Sequence, residues 1–342
     1  MSEDTHDDEQ GMAEAVRVAA TARRSVSPRP WVGALVVTPG GDRFVGATEG
    51  RTGPHAEVVA LTAAGPAARG ATLFTTLEPC SHHGVTPPCS EAVIEAGLAR
   101  VVIGIEDPDP KVAGEGIARL RAAGVDVVVG TGRAAVETQL APYLTHRRTG
   151  RPYVVLKLAA SLDGRAGAPD RTSRWITGDD ARRDAHRVRA DSDAIVVGAG
   201  TVRADDPALT VRLPAGEADG IEPRRIVLGT APASARVHPC LEWTGDLAAL
   251  LDTLGAEGVL QLMVEGGPTV AHAFHAAGLV DRYVIYQAPA LFGGDDAVAL
   301  FRGSGAPSIG DLWRGEVESM IPLGRDWRID LVAEKPRGES EI

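Results

Sequence analysis

The chain has 342 residues, 44% of them hydrophobic, which is enough for about two domains with separate cores. Its 46 acidic and 35 basic side chains give a net charge of −11, which opposes non-specific binding to nucleic acid or to an anionic membrane. No apolar run approaches the roughly 18 residues of a membrane span, and the acidic start MSEDTHDDEQ is no secretion signal, so a soluble cytoplasmic protein is expected.

Residues 1–10 read as an acidic tail. A helical pattern then begins at MAEAVRVAATARR, with Met12, Val16 and Ala19/Ala20 on one face. Short β-branched runs follow (WVGALVV, ATLFTTL, RVVIGI, GVDVVVG), separated by Ala-rich stretches such as HAEVVALTAAGPAARG and CSEAVIEAGLA. Strands alternating with helices predict an α/β layer over 11–146. At LTHRRTGRP the apolar pattern lapses, which marks a domain boundary. A second alternating series over 151–334 contains YVVLKLAASLDG, DAIVVGAGTV, RRIVLG, LQLMVEGG and DRYVIYQAPALF. LPAGEADGIEP reads as a polar loop and 335–342 as a tail. The motifs of the two halves do not match each other, so two different folds are expected.

Three cysteines without a secretion signal argue for reduced thiols rather than a disulfide framework. Cys240 carries no assigned role. The other two stand in PCSHHGVTPPC, and His55 and Glu57 stand upstream in PHAEVVAL, where a loop turns into a helical pattern. A His-x-Glu followed by Pro-Cys and a second Cys is the pattern of zinc deaminases, in which one His and two Cys hold the metal and the Glu moves protons. Here eight residues rather than two separate Cys80 from Cys89. Three protein ligands leave a fourth position for water, whose pKa the metal lowers toward neutrality. A closed structural site with His82 or His83 as fourth ligand is the alternative; otherwise those two histidines line the pocket or its loop.

The second half has no G-x-G-x-x-G after its first strand, so a Rossmann reading is weak. Gly266-Gly267, between LQLMVE and TVAHAFHAAG, forms a loop to helix N-terminus of the kind that holds phosphate on backbone N–H groups. Arg189 and Arg212 are candidates for planar phosphate contacts.

HAEVVAL, TLEPCSHHG-TPPC, SLDGR, WIT, DAIVVG-GTV-ADDPALTVR and VEGGPT occur here in the order seen in the bifunctional riboflavin-biosynthesis deaminase/reductases. The chain resembles that family from Met12 to Ala333. The resemblance implies an N-terminal cytidine-deaminase-like three-layer domain and a C-terminal dihydrofolate-reductase-like domain. It implies zinc-dependent removal of the pyrimidine 2-amino group of 2,5-diamino-6-ribosylamino-4(3H)-pyrimidinone 5′-phosphate, then NADPH-dependent reduction of the ribosyl group to ribityl. By position, His55, Cys80 and Cys89 match the Zn2+ ligands and Glu57 the proton shuttle. Ser173, Arg189, Leu209, Arg212 and Glu265 match substrate positions. Ala159, Trp175, Thr177, Thr201, Asp205, Thr230 and the run Gly267, Pro268, Thr269, Val270, Ala271, His272, Ala273 match NADPH positions. Lys157 and Asp205 fall near the point of hydride transfer. The partner is then a small phosphorylated pyrimidine, not a nucleic acid or membrane, and a homo-oligomer is expected.

Four positions depart from the family's pattern. Arg29 stands in Pro-Arg-Pro where an asparagine is usual, Val85 where a basic residue is usual, Asp109 where an amide is common, and Thr48 near the place of a histidine. Loss of a charged phosphate contact at Val85 weakens binding by about 1.5–3 kcal/mol. Arg29 or Arg51 is the expected substitute. These departures also allow a working reductase joined to a deaminase half of altered substrate or impaired turnover, or to a zinc-stabilised non-catalytic module. A polynucleotide deaminase is disfavoured by net acidity and by an aromatic content of only 4%, because flipped bases need stacking surfaces.

Overall fold

The computed structural model describes residues 3–82, 87–110, 112–170, 172–214 and 221–334. The chain parts into two compact units between Arg151 and Pro152.

The first unit runs α1 (Glu3–Ala19), β1 (Gly33–Val37), β2 (Arg43–Ala47), α2 (Ala56–Ala64), β3 (Thr72–Leu77), α3 (Cys89–Ala96), β4 (Arg100–Ile105), α4 (Glu115–Ala122), β5 (Asp126–Val129) and α5 (Arg133–Thr149). Its sheet has the order β2-β1-β3-β4-β5, with β1 antiparallel to both neighbours and β3, β4 and β5 parallel. Gly33 and Gly46 show how helices cover both faces. A Cβ on Gly33 would lie 2.0 Å from the Ala15 carbonyl oxygen of α1, and one on Gly46 would lie 2.3 Å from that of Ala56 in α2. Gly46 is the register partner of Ala34, so the two glycines point to opposite faces, and so do α1 and α2. The result is three layers.

Two boundaries differ from the sequence reading. The acidic tail is mostly helix: α1 begins at Glu3, and the Asp8 carboxylate accepts two hydrogen bonds from the Arg100 guanidinium, at 2.7 and 2.8 Å. Gly11 gives the helix room to lie on the Phe74 ring. At the other end, α5 continues past residue 146 to Thr149 and stops at Gly150, whose φ of 73° suits glycine.

The second unit runs β6 (Tyr153–Ser161), β7 (Arg165–Gly167), α6 (Asp179–Ala190), β8 (Ala194–Gly198), α7 (Ala199–Asp205), β9 (Arg224–Leu228), β10 (Leu241–Trp243), α8 (Leu247–Ala256), β11 (Gln261–Val264), α9 (Pro268–Ala276), β12 (Arg282–Ala288), β13 (Val298–Ala299), β14 (Gly315–Leu323) and β15 (Asp326–Ala333). The main sheet has the order β10-β9-β8-β11-β6-β12-β15-β14. Strands from β10 to β12 are parallel, and the β14–β15 hairpin adds antiparallel to β12. Continuous apolar runs such as Ala194–Gly198 are buried along their length, as central parallel strands should be. Strand β11 inserts between β8 and β6, so the carboxyl ends of these three strands lie side by side, the usual place for a ligand in such a sheet.

Candidate functional site

In the first unit, His55 is the N-cap residue of α2, Cys80 follows the end of β3, and Cys89 is the first residue of α3. His55 Nδ1 lies 3.6 Å from Cys80 Sγ and 3.1 Å from Cys89 Sγ, and the three ligand atoms all fall within 4.8 Å of one another. Metal bonds of about 2.0–2.1 Å to nitrogen and 2.3 Å to sulfur give a tetrahedral N···S edge of roughly 3.6 Å. One nitrogen and two sulfurs at these spacings fit zinc. Among the described residues this is the group able to hold a metal, and His82, which is exposed, is not part of it. His83 and Val85 lie outside the described residues.

The backbone prepares one thiol for this task. The Cys89 N–H, at the start of α3, points at Cys80 Sγ at 3.3 Å. The Cys80 thiol is pushed down by a hydrogen bond from Cys89, with further help from His55, while Cys89 is pushed up as the member of the pair that keeps the proton. Hydrogen bonding to Cys80 raises the His55 pKa. A cation held by the triad would replace that shared proton.

Glu57 sits in the first turn of α2 and is 3% exposed. Burial pushes its carboxyl up to about 7, against the pull of His55. Its Oε2 has no hydrogen-bond partner, an expensive arrangement for a buried carboxylate unless something else uses the atom.

Around the triad, Glu78 does structural work that the sequence reading passed over. Its Oε2 accepts from the Asp107 and Gly114 amides at 3.2 and 3.0 Å, and Oε1 accepts from the Ile117 amide at 3.1 Å. The Glu-Pro-Cys turn is thereby tied to the loop before α4. Asp107 in turn accepts from the Asp109 amide and the Tyr143 hydroxyl, and burial pushes it up to about 6. Asp109 is ion-paired with Arg147 at 3.4 Å, and Thr48 is buried with its Oγ1 accepting from the Val32 amide. Arg51 is exposed. Arg29 donates through Nη1 to the carbonyls of Gly50 and Gly53, at 3.2 and 3.0 Å, and so clamps the loop that leads into His55. Burial lowers the Arg29 pKa, and the nearby Cys89, Cys80 and Glu57 charges oppose that shift, so its guanidinium shares the triad's electrostatic surroundings.

In the second unit, Arg189 and Glu265 meet. Arg189 Nη2 donates to Glu265 Oε2 at 2.6 Å, and Nη1 donates to the Thr210 carbonyl at 2.5 Å. Burial opposes ionisation of Glu265, yet Arg189 and Lys157 outweigh it and hold the carboxyl below its usual range. Glu265 Oε1 and Arg189 Nε are buried without partners. Arg212 is joined to this group by His186, a residue the sequence reading did not single out. The signal was present as His-x-x-Arg on one helical face of DAHRVRA. Leu209 has a φ of 53°, and Ser173 is exposed on the segment before α6.

The cofactor positions fall into smaller groups. Gly267 is the N-cap residue of α9, which has no side-chain cap, and a Cβ on Gly267 would lie 3.5 Å from Thr201 Oγ1. Trp175 is 65% exposed with the Arg182 guanidinium 4.4 Å from its ring centroid, and Arg174 joins it to Asp205 at 3.4 Å. Thr177 is buried, Thr230 is exposed beyond β9, and Ala159 lies on β6 opposite Tyr286. Ala271 is fully buried in the core, His272 is bonded to the Ser304 carbonyl and Ala273 is exposed. Of this run, Gly267 at the start of α9 is the residue that lies near Thr201.

Comparison with known proteins adds an independent line. Residues 152–327 match the RibD C-terminal domain, and residues 5–105 match the cytidine and deoxycytidylate deaminase zinc-binding region. The riboflavin biosynthesis protein RibD of Escherichia coli is 39% identical, the alignment covering 95% of this chain and 99% of that one. A solved structure of Acinetobacter baumannii RibD is 34% identical with a TM-score of 0.88, covering 97% of this chain and all 100% of the other. A diaminohydroxyphosphoribosylaminopyrimidine deaminase/5-amino-6-(5-phosphoribosylamino)uracil reductase from Thermotoga maritima is 29% identical with a TM-score of 0.85, again over 97% and 100%.

Proposed function

The chain belongs to the RibD family of bifunctional riboflavin-biosynthesis deaminase/reductases, and from that premise we propose that both of its halves are working enzymes on one phosphorylated pyrimidine. The observation that carries the first half is a buried Glu57 carboxylate with a free oxygen, two residues beyond a ligand of the His/Cys/Cys triad. His55 Nδ1, Cys80 Sγ and Cys89 Sγ would hold the zinc, which would supply the charge that makes a water molecule acidic near neutrality. Glu57 would take one proton from the attacking water and deliver it to the ring nitrogen, then take the second from the hydroxyl now on the ring carbon and deliver it to the departing amine. The water oxygen bonds to the ring carbon, the bond to the 2-amino nitrogen breaks, and ammonia leaves. The substrate is the 2,5-diaminopyrimidine ribosylamine 5′-phosphate.

In the second half Arg189, Arg212 and Glu265 hold the deaminated product, together with Ser173 and Leu209. NADPH, when bound, would supply the hydride for reducing the ribosyl group to ribityl. Its family-matched positions are Ala159, Trp175, Thr177, Thr201, Asp205, Thr230 and the run from Gly267 to Ala273, within which Ala271 is buried in the core and His272 is bonded to the Ser304 carbonyl. The α9 start, which has no side-chain cap, supports this reading, since a backbone N–H at a helix N-terminus donates to phosphate; Thr269 is the candidate donor, because Pro268 has no N–H and those of Val270 and Ala271 donate to the Gly267 carbonyl. The test is metal content, ammonia release from the diaminopyrimidine phosphate and NADPH oxidation on the deaminated product. One zinc with both activities is expected. Zinc and NADPH oxidation without ammonia would instead indicate a deaminase half of altered substrate or one that serves only as a folded module.

We also infer that the protein works as a homo-oligomer through the second unit. Strand β14 is terminal in its sheet, exposed along most of its length, and carries Val317, Met320 and Ile321 at 60%, 55% and 41% exposure beside Trp327 on β15. A long apolar edge is a template for pairing, and a second copy is the occupant whose own edge is complementary. Sedimentation at micromolar concentration should give at least a dimer. A monomer there would remove the inference. No helix among the described residues is long and apolar enough to cross a membrane.

A further inference from the structure

His186 projects from α6 into the cluster of Arg189, Arg212, Lys157 and Glu265, and its two ring nitrogens meet different neighbours. At Nδ1 two donors converge: the Arg212 main-chain N–H at 3.2 Å and Arg189 Nη1 at 3.4 Å. At Nε2 there is one neighbour, Arg212 Nε at 3.4 Å. A neutral imidazole has a single acceptor nitrogen, so it cannot accept on both sides. Two donors against one make Nδ1 the acceptor, which leaves the hydrogen on Nε2. Protonation of the whole ring is blocked as well, because burial, then Arg189 and Arg212, push the imidazole down to about 4. The Nε2–H and the Arg212 Nε–H therefore face each other with no acceptor for either. Close by, Arg189 Nε is buried without a partner, and Arg212 is exposed. Glu265 Oε1, the unpartnered acceptor of this cluster, sits on the carboxylate that already binds Arg189, so the His186 Nε2–H and the Arg212 Nε–H await an acceptor from outside the protein. An oxyanion is that acceptor.

We propose that His186 is an anion-binding residue of the second unit, fixed as the Nε2–H tautomer by Arg212 and Arg189 so that Nε2 donates to a phosphate oxygen held by the Arg212 guanidinium. The proposal rests on the reading that the reductase substrate carries a phosphate, and it assigns a contact to a residue outside the family-matched positions. The neutral ring adds direction rather than charge: it orients the anion by one hydrogen bond while its other nitrogen holds the Arg212 backbone in place.

Ring-15N histidine labelling of the full chain reads the tautomer directly, and inorganic phosphate is the first probe. An Nε2–H signal for His186 that moves on phosphate addition is expected. His186→Asn keeps a polar group near the Nδ1 position and loses the Nε2 donor, whereas His186→Gln places an amide donor near Nε2. The Asn variant should raise KM for the phosphorylated substrate and the inhibition constant for inorganic phosphate by roughly tenfold to a hundredfold with kcat little changed. The Gln variant should recover part of that loss. An Nδ1–H tautomer, or an Asn variant whose KM stays within about twofold of the parent while the Gln variant folds normally, overturns the proposal. If phosphate moves the His186 signal but the chain does not oxidise NADPH on the deaminated pyrimidine, the contact stands and the substrate reading falls.

Discussion

Glu57→Gln should abolish ammonia release while zinc content, folding and reductase turnover stay at parental levels. The amide is nearly isosteric, so the site keeps its shape, and the triad loses none of its three ligand atoms. What disappears is a group able to take a proton and return it. General acid–base assistance contributes about 10²–10⁴-fold, and kcat should fall by at least that much. Glu57→Ala should do the same, and retention of zinc in both variants separates chemistry from structure. Arg29→Ala provides the contrast. Its guanidinium spends Nη1 on the Gly50 and Gly53 carbonyls, which leaves only its remaining edge for a ligand. Its loss should therefore raise the deaminase KM, by freeing the loop before His55 and by removing a cation from the site, and leave the reductase untouched. A Glu57→Gln enzyme that still released ammonia within tenfold of the parental rate would move the proton transfer to another group.

The metal centre was legible from sequence because its chemistry restricts residue type. Few contexts other than a metal explain His-x-Glu, Glu-Pro-Cys and a second Cys in that order, even at an unusual Cys spacing. The β-branched runs were legible for a similar reason: buried parallel strands admit little else, as Ala194–Gly198 and Arg100–Ile105 illustrate. The chain's charged elements were not. Helix α6 reads DDARRDAHRVRA, whose apolar stripe is only the small side chains of Ala181 and Ala185 with Val188, and the buried face also carries Asp184 and Arg189. Asp184 is bonded to Tyr286 and Arg328, residues more than a hundred positions away. Similarly, the first turns of α1 looked like an acidic tail because the partner of Asp8 is Arg100, on a strand far along the chain. Strands β14 and β15 went unread for the opposite reason: their polar and apolar residues mix, since much of the hairpin is exposed. Glu78 and His186 escaped attention because their value lies in whom they orient, which spacing along a chain does not encode.

Glu265→Ala should be the most damaging change in the second unit, and more so than Arg189→Ala. Both side chains are only 10% exposed, and breaking such a pair by removing one partner costs about 3–5 kcal/mol because a charge is left buried and unpaired. The asymmetry comes from the neighbours. Without Arg189, the Glu265 carboxylate keeps the field of Lys157. Without Glu265, the cations of Arg189, Lys157 and Arg212 face one another across a neutral His186, and Arg189 retains only the Thr210 carbonyl. Glu265→Ala should thus lower stability by more than about 3 kcal/mol and remove measurable reductase activity, with Arg189→Ala milder in stability and equally inactive. The double variant Arg189→Met with Glu265→Met distinguishes the two effects. Replacing a buried ion pair by apolar side chains of similar volume is often neutral, so urea unfolding should return close to the parental curve while NADPH oxidation stays absent. A double variant as unstable as Glu265→Ala alone would mean that packing, not the unpaired charge, set the cost. One that regained turnover would remove both residues from the substrate site.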